Sequence, residues 1–144
     1  SRDEERKIVD RMDGGKPIPD IRGVASAADI LEARKVVDKI WADDKVRDYV
    51  VELVRATRNP ADSGVSSLDG MVETGASPRA SIYLMKAGKA HAFLQGRGYV
   101  TPHDVKSMAP DVLRHRVILT YEAEAEGKTT DEIVRVILDN VPVP

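Results

Sequence analysis

The sequence predicts an all-α fold with at most one short extended rung, and three observations carry the prediction. Helix-start signals recur along the chain, each a Ser, Thr or Asp able to accept a backbone hydrogen bond, followed by Pro or by a carboxylate. Val46, Tyr49, Val50, Leu53 and Val54 fall at i, i+3, i+4, i+7 and i+8, on one face of a helix. No stretch alternates apolar and polar residues over the length of a strand.

At the N-terminal end, Ser1-Arg2-Asp3-Glu4 has the form of a capping box. Ile8, Val9 and Met12 give its helix a weak apolar stripe, and Gly14-Gly15 stops it, so residues 1–14 read as one helix. Residues 15–25 carry Pro17, Pro19 and Gly23 and read as an extended connector, with Ile18, Ile21 and Val24 against a neighbouring surface. The remainder, 26–144, reads as one helical domain. Ser26 caps a helix running to about Trp41, with Ile30, Leu31, Val37 and Ile40 as its buried side. Asp43-Asp44 caps the next, where negative charge suits the helix dipole, and Asn59-Pro60 ends it. Ala61 to Thr74 is polar, contains Gly and Ser, and reads as a mobile loop. Leu68, Met71 and Val72 bring its second half to the core.

Gly75-Ala76-Ser77-Pro78-Arg79-Ala80-Ser81 opens the central helix. Gly75 permits a sharp turn, Ser77 is the N-cap, and Pro78 suits the first helical position because its missing N–H has no partner to lose there. The helix runs to about Gln95 and is rich in small residues (Ala80, Ser81, Ala87, Gly88, Ala90, Ala92), which allow close approach of neighbours. Gly98-Tyr99-Val100 is the one extended rung. Thr101-Pro102-His103-Asp104 starts another helix, and Pro110 begins a further turn carrying Val112, Leu113, Val117, Ile118 and Leu119. Glu122 to Gly127 is solvated, and Thr129-Thr130-Asp131-Glu132 is a capping box leading into the last helix. The expected core comprises Val50, Leu53, Val54, Ile82, Met85, Leu94, Val105, Leu113, Ile133 and Ile137.

Composition narrows the function. A chain of 144 residues suits one domain and buries roughly two-thirds of its unfolded surface. The formal net charge of −2 supplies no basic field for nucleic acid or anionic membrane, and no apolar run is long enough to insert into a bilayer. Without Cys there is no disulfide, thiolate-bound zinc or thiol nucleophile, which is compatible with a cytoplasmic location. The chain begins without Met and without a signal-peptide pattern, and reads as a segment of a longer protein.

Arg79 breaks the local pattern. It places a cation in a first helical turn that is already positive, at a penalty of roughly 0.3–1 kcal/mol. An Arg beside free backbone amides suits an anion, phosphate above all; pointing into solvent or pairing with a nearby carboxylate explains it equally well. Leu113-Arg114-His115-Arg116 is a dense cationic knot. It reads either as a solvated face paired with the Glu122–Glu126 run or as an intersubunit or phosphate-facing contact. His91, His103 and His115 make no ligand pair, so no metal site is assigned; His91 reads as a packing residue. There is no Gly-x-x-x-x-Gly-Lys-Ser/Thr loop and no strand ending in Asp-Glu, so the chain alone is not expected to hydrolyse ATP.

Several motifs, in order, resemble one family. Asp48-Tyr49-Val50-Val51, Gly75–Ser81, Gly98–Val105, Ala109–Arg116 and the closing Val141-Pro142-Val143-Pro144 are similar to the C-terminal helical lid of MoxR-type AAA+ ATPases. The insert Ala61–Thr74 is longer than in many of that family. The resemblance implies an AAA+ lid-type helical bundle, with 1–14 the helix from the junction with an absent α/β ATPase core. It also implies a ring-forming, chaperone-like ATPase using ATP and Mg2+, with von Willebrand factor A domain partners. Arg79 corresponds to the sensor 2 arginine, placing Ser77, Pro78 and Arg79 at the nucleotide. Two other readings remain open: a free-standing protein- or nucleic-acid-binding module using Arg79, Lys86, Lys89 and Arg97, and the lid of a magnesium-chelatase-like subunit.

Overall fold

The computed structural model describes residues 1–13 and 22–144. The Gly14-Gly15 stop and the connector as far as Ile21, Ile18 included, lie outside the described residues. Backbone contacts divide the chain into two units, Ser1–Leu31 and Glu32–Pro144.

In the first unit, α1 (Arg2–Asp13) is capped as its sequence predicts: the Glu4 N–H donates to Ser1 Oγ at 3.4 Å and the terminal amine to the Glu4 carboxylate at 2.6 Å. The helix α2 (Ala27–Lys39) starts at a reciprocal box, the Ser26 N–H to Asp29 at 2.8 Å and the Asp29 N–H to Ser26 Oγ at 3.2 Å. The expected buried side of α2 needs correction. Only Ile40, just past its end, is buried, and Val37 is half-buried; Ile30 and Leu31 are 56% and 58% exposed. They lie two to three turns before the point where the chain enters the core.

The second unit is built on α3 (Asp44–Ala56), α4 (Arg79–Leu94), α5 (Pro102–Leu113) and α7 (Thr130–Asn140), with a short α6 (Tyr121–Ala125). Asp43 caps α3 by accepting from the Lys45 N–H at 2.8 Å, and the helix buries Val46, Tyr49, Val50, Leu53 and Val54, the predicted stripe. Capping boxes at Thr101–Asp104 and Thr129–Glu132 open α5 and α7. Helix α5 runs through Pro110 to Leu113 as one element, so Pro110 does not break it. Glu122 to Gly127 is exposed apart from Ala123, as expected, and Thr120 accepts from the Ala123 N–H to start α6.

Helix α4 is central, packing chiefly on α5 and also on α3. Its buried residues are Ala80, Leu84, Gly88 and Ala92, spaced by four along one face. A Cβ on Gly88 would lie 3.4 Å from Val100 Cγ1 and 3.7 Å from Val105 Cγ2, ordinary contact distances, so the position packs closely without requiring glycine. That stripe overturns two expected core positions: Ile82 is 56% and Leu94 78% exposed, while Met85 is only partly buried. The remaining seven expected core residues are buried.

The stretch Ala61–Thr74 is structured. It holds two 3-10 turns (Ala61–Ser63 and Ser66–Leu68) and β1 (Val72–Thr74), which pairs antiparallel with β2 (Ile118–Leu119). Val65 and Leu68 are buried and anchor it, and Met71 and Val72 pack on the core as expected. The rung at Tyr99 is a single parallel bridge to Trp41, with the Val100 N–H donating to the Trp41 carbonyl at 2.9 Å. The fold class is all-α with this minimal extended structure.

Candidate functional site

The launch of α4 is pinned to the end of α3. Thr57, fully buried, donates its hydroxyl to the Val54 carbonyl at 2.6 Å and accepts the Ala76 N–H at 2.9 Å. Arg58 Nη1 donates to the Ala76 carbonyl at 2.9 Å, so both polar groups of Ala76 are held. Gly75 has an ordinary φ, and its role differs from the turn expected of it. A Cβ there would lie 2.3 Å from the Thr57 carbonyl oxygen; only hydrogen fits the crossing. Sequence reasoning missed Thr57 and Arg58, whose sole local sign is a hydroxyl at the end of an amphipathic helix.

The Ser77 cap also needs correction. Helix α4 has no side-chain cap, and Pro78, in helical conformation, occupies the N-cap position one residue later than expected. The Ser77 carbonyl, not its hydroxyl, takes the first amide, from Ala80 at 2.8 Å. Arg79 is the first helical residue and is exposed.

Ser77 and Arg79 line an open cavity of ≈ 400 Å³ with Gly75, Tyr83 and Arg116; Pro78 does not line it. Tyr83 lies one helical turn beyond Arg79, a spacing legible in sequence, and Arg116 reaches the cavity from the turn after α5. The Arg116 guanidinium carbon sits 5.2 Å from the centre of the Tyr83 ring. Among the described residues neither Arg79 nor Arg116 pairs with a carboxylate. Arg47, Arg55, Arg97 and Arg114 of this unit do, whereas Arg34, Arg58 and Arg135 share the lack of one. Arg114 bridges Asp111 at 3.2 Å and Asp131 at 3.1 Å, rather than the Glu122–Glu126 run expected for it.

A second polar cluster supports α4 and α5 from the opposite end. Asp104 is fully buried and receives Arg97, His91 Nδ1 at 2.7 Å, and the Thr101 N–H and hydroxyl at 2.8 and 2.7 Å. Burial opposes its charge, but the hydrogen bonds from Arg97, Thr101 and His91 outweigh burial and hold the carboxyl well below the usual carboxylate range. His91 is thus a packing residue with a specific partner; His103 is exposed in the first turn of α5.

A further cavity of ≈ 370 Å³ lies between α3 and the last residues, lined by Lys45, Tyr49, Glu52 and Val141–Pro144 among others. The Tyr49 hydroxyl is buried without a partner among the described residues, and burial pushes its pKa up to about 12. Among the described residues no three His, Asp or Glu side chains are grouped to hold a metal, and no helix is long and apolar enough to cross a membrane.

The family model for the AAA lid domain matches residues 66–137, half of the chain, including β1, α4, the cavity and α5. The chain belongs to the AAA lid domain family. This lid is 38% identical over its whole length to Chaperone MoxR1 of Mycobacterium tuberculosis, covering 38% of that protein. It is 31% identical over 118 residues to Protein MoxR of Methylorubrum extorquens, covering 34% of it. A crystal structure from Cytophaga hutchinsonii, of a protein described as a candidate ATPase, superposes with a TM-score of 0.92 at 38% identity over all of the lid and 44% of that chain. The lid therefore spans about two-fifths of the length of such relatives. The motif resemblance is borne out, since the chain is an AAA lid whose curated relatives carry MoxR names.

Proposed function

We propose that Arg79 is the sensor 2 arginine of this lid and contacts the phosphates of ATP in the whole protein. The observation that carries the reading is its company. Arg79 stands without a carboxylate on the rim of an open cavity beside a second arginine, whereas Arg97 and Arg114 are neutralised by aspartates. Guanidinium forks match phosphate oxygens, so these residues fit that group. They do not fit Mg2+, which would take its ligands elsewhere in the whole protein. Bound ATP would supply the phosphoryl group; Arg79 would hold its terminal oxygens and lose that tie on hydrolysis, freeing the lid to turn.

In this reading Ser1–Gly14 follows an α/β ATPase core, residues 15–25 connect, and 26–144 form the lid. The whole protein assembles into a ring whose neighbours feel the lid turn. It acts as a chaperone-like cytoplasmic ATPase with von Willebrand factor A domain partners. The free-standing binding module draws less support, because Arg97 is paired with Asp104 and Lys89 donates to the Asp38 carbonyl at 3.0 Å.

The test is ATP turnover by the whole parent protein carrying Arg79→Ala or Lys86→Ala. Lys86 lies two turns along α4 and does not line the cavity. Arg79→Ala should strongly lower turnover, within a ceiling on the order of 10³–10⁵ set by arginine fingers. Arg79→Lys should rescue little, and Lys86→Ala should be nearly silent. Wild-type turnover in Arg79→Ala would overturn the assignment.

A further inference from the structure

Arg116 is built unlike its neighbour Arg114. Among the described residues it makes one hydrogen bond, Nη1 to His115 Nε2 at 3.1 Å, which leaves its Nη2 protons without a partner there. Its Nε is buried and unpaired among the described residues, a rare state for a donor in a folded protein. The Tyr83 ring, 5.2 Å from the guanidinium carbon, holds the plane by its face. The ring restrains the guanidinium on one side, and the Nη2 protons are the donors that a ligand of the cavity could take up. Arg79 lines the same cavity, so two like charges share one depression with no carboxylate between them among the described residues. An anion with several oxygens would pair the Nη2 protons and relieve the mutual repulsion.

We propose that Arg116 is a second anion-contacting arginine of this cavity, oriented by Tyr83, which takes phosphate oxygens from the side opposite Arg79. That the anion is the phosphate chain of a nucleotide rests on the reading of Arg79 above; the contact itself stands on Arg116. The two arginines form a clamp whose halves come from different elements, one from the first turn of α4 and one from the turn between α5 and β2. Closing on a phosphate therefore ties those two elements together.

The test is titration of inorganic tripolyphosphate into the 144-residue chain at constant ionic strength, following the side-chain Nε–H signals of Arg79 and Arg116 by NMR. Both signals should shift with one midpoint. Arg116→Ala should weaken binding about tenfold, the loss of one charge-assisted contact. Arg116→Lys should recover little of it, since the planar fork is lost, while Lys86→Ala should bind as wild type does. An Arg116 signal that stays still while Arg79 saturates overturns the clamp and leaves the Arg79 reading standing. Movement of Arg116 without Arg79 supports the anion contact and removes the Arg79 reading. Stillness of both overturns the clamp and deprives Arg79 of its phosphate. Because the wild-type signal of Arg116 is read directly, the outcome does not depend on any variant folding.

Discussion

Thr57 and Ala76, at the end of α3 and the approach to α4, are joined by a buried hydrogen bond of 2.9 Å from the Ala76 N–H to the Thr57 hydroxyl. Because that hydroxyl also donates to the Val54 carbonyl, its orientation is set by α3 itself. The cationic rim of the cavity begins three residues after this joint. Its position is thus inherited from the last turn of α3, and a residue with no chemistry of its own places one that is proposed to have some.

Thr57→Val keeps the shape and removes both hydrogen bonds. It leaves the Ala76 N–H buried without a partner, which costs about 1–3 kcal/mol. In a domain of this size that is a fall in Tm of several degrees, read by circular dichroism. Thr57→Ser keeps the hydroxyl and should melt above the Val variant. Equal melting of Val, Ser and wild type would show that the joint contributes nothing.

Asp104 predicts the acid limb of stability. Its folded pKa lies below the unfolded value of about 3.9, so its ionised form contributes stability that is fully present above that value. The contribution is lost as pH falls below about 4 and the carboxyl approaches its depressed folded pKa. Asp104→Asn should cost about 3 kcal/mol at neutral pH, since it leaves Arg97 facing an uncharged partner, and should flatten the acid limb. Thermal unfolding between pH 7 and the acid range measures both. A variant as acid-sensitive as wild type would assign the limb to other carboxylates.

Most helix starts are legible from local signals, the cap of α4 excepted, and contacts with distant partners are not. The boxes at Ser1–Glu4 and Thr129–Glu132 close within one turn, so residue type and spacing suffice to see them, whereas Ser26 and Thr101 are legible as caps without their aspartate partners. Arg97 and His91 converge on Asp104 only because α4 and α5 pack together, and nothing in their spacing announces it. Ile82 and Leu94 were expected inside because they are large and apolar. The face of α4 that turns inward is instead chosen by what α5 can approach, and small residues win that contact. The β1–β2 pairing joins strands of three and two residues, too short for any alternation to register. Of the site, Arg79 was visible as a charge in the wrong place. Arg116 was visible only as one of two readings of a cationic knot, because Tyr83 and the missing carboxylate are tertiary facts.

The isolated lid should not bind Mg-ATP tightly. Two arginines on an open depression supply charge but neither a glycine-rich cradle nor magnesium ligands, and exposed charges are screened by salt. Calorimetry should find no micromolar binding. A micromolar dissociation constant would mean that this chain holds a complete nucleotide site.

The last prediction separates the arginine from the joint that carries it. Arg79→Ala removes a cation from a positive helix end and from the neighbourhood of Arg116, and it installs the best helix former. The chain should therefore be as stable as wild type or more stable by about 0.3–1 kcal/mol. Gly75→Ala should behave oppositely. Its Cβ would lie 2.3 Å from the Thr57 carbonyl oxygen and 2.7 Å from Arg58 Cα, so backbone must move. Overpacking of this kind costs about 1–3 kcal/mol and would displace the launch of α4. In the whole parent protein both variants should lose ATP turnover, one with its stability intact and one without. If Gly75→Ala melts with wild type, the α3–α4 joint is looser than the close approach at Thr57 implies, and Arg79 is not positioned by it.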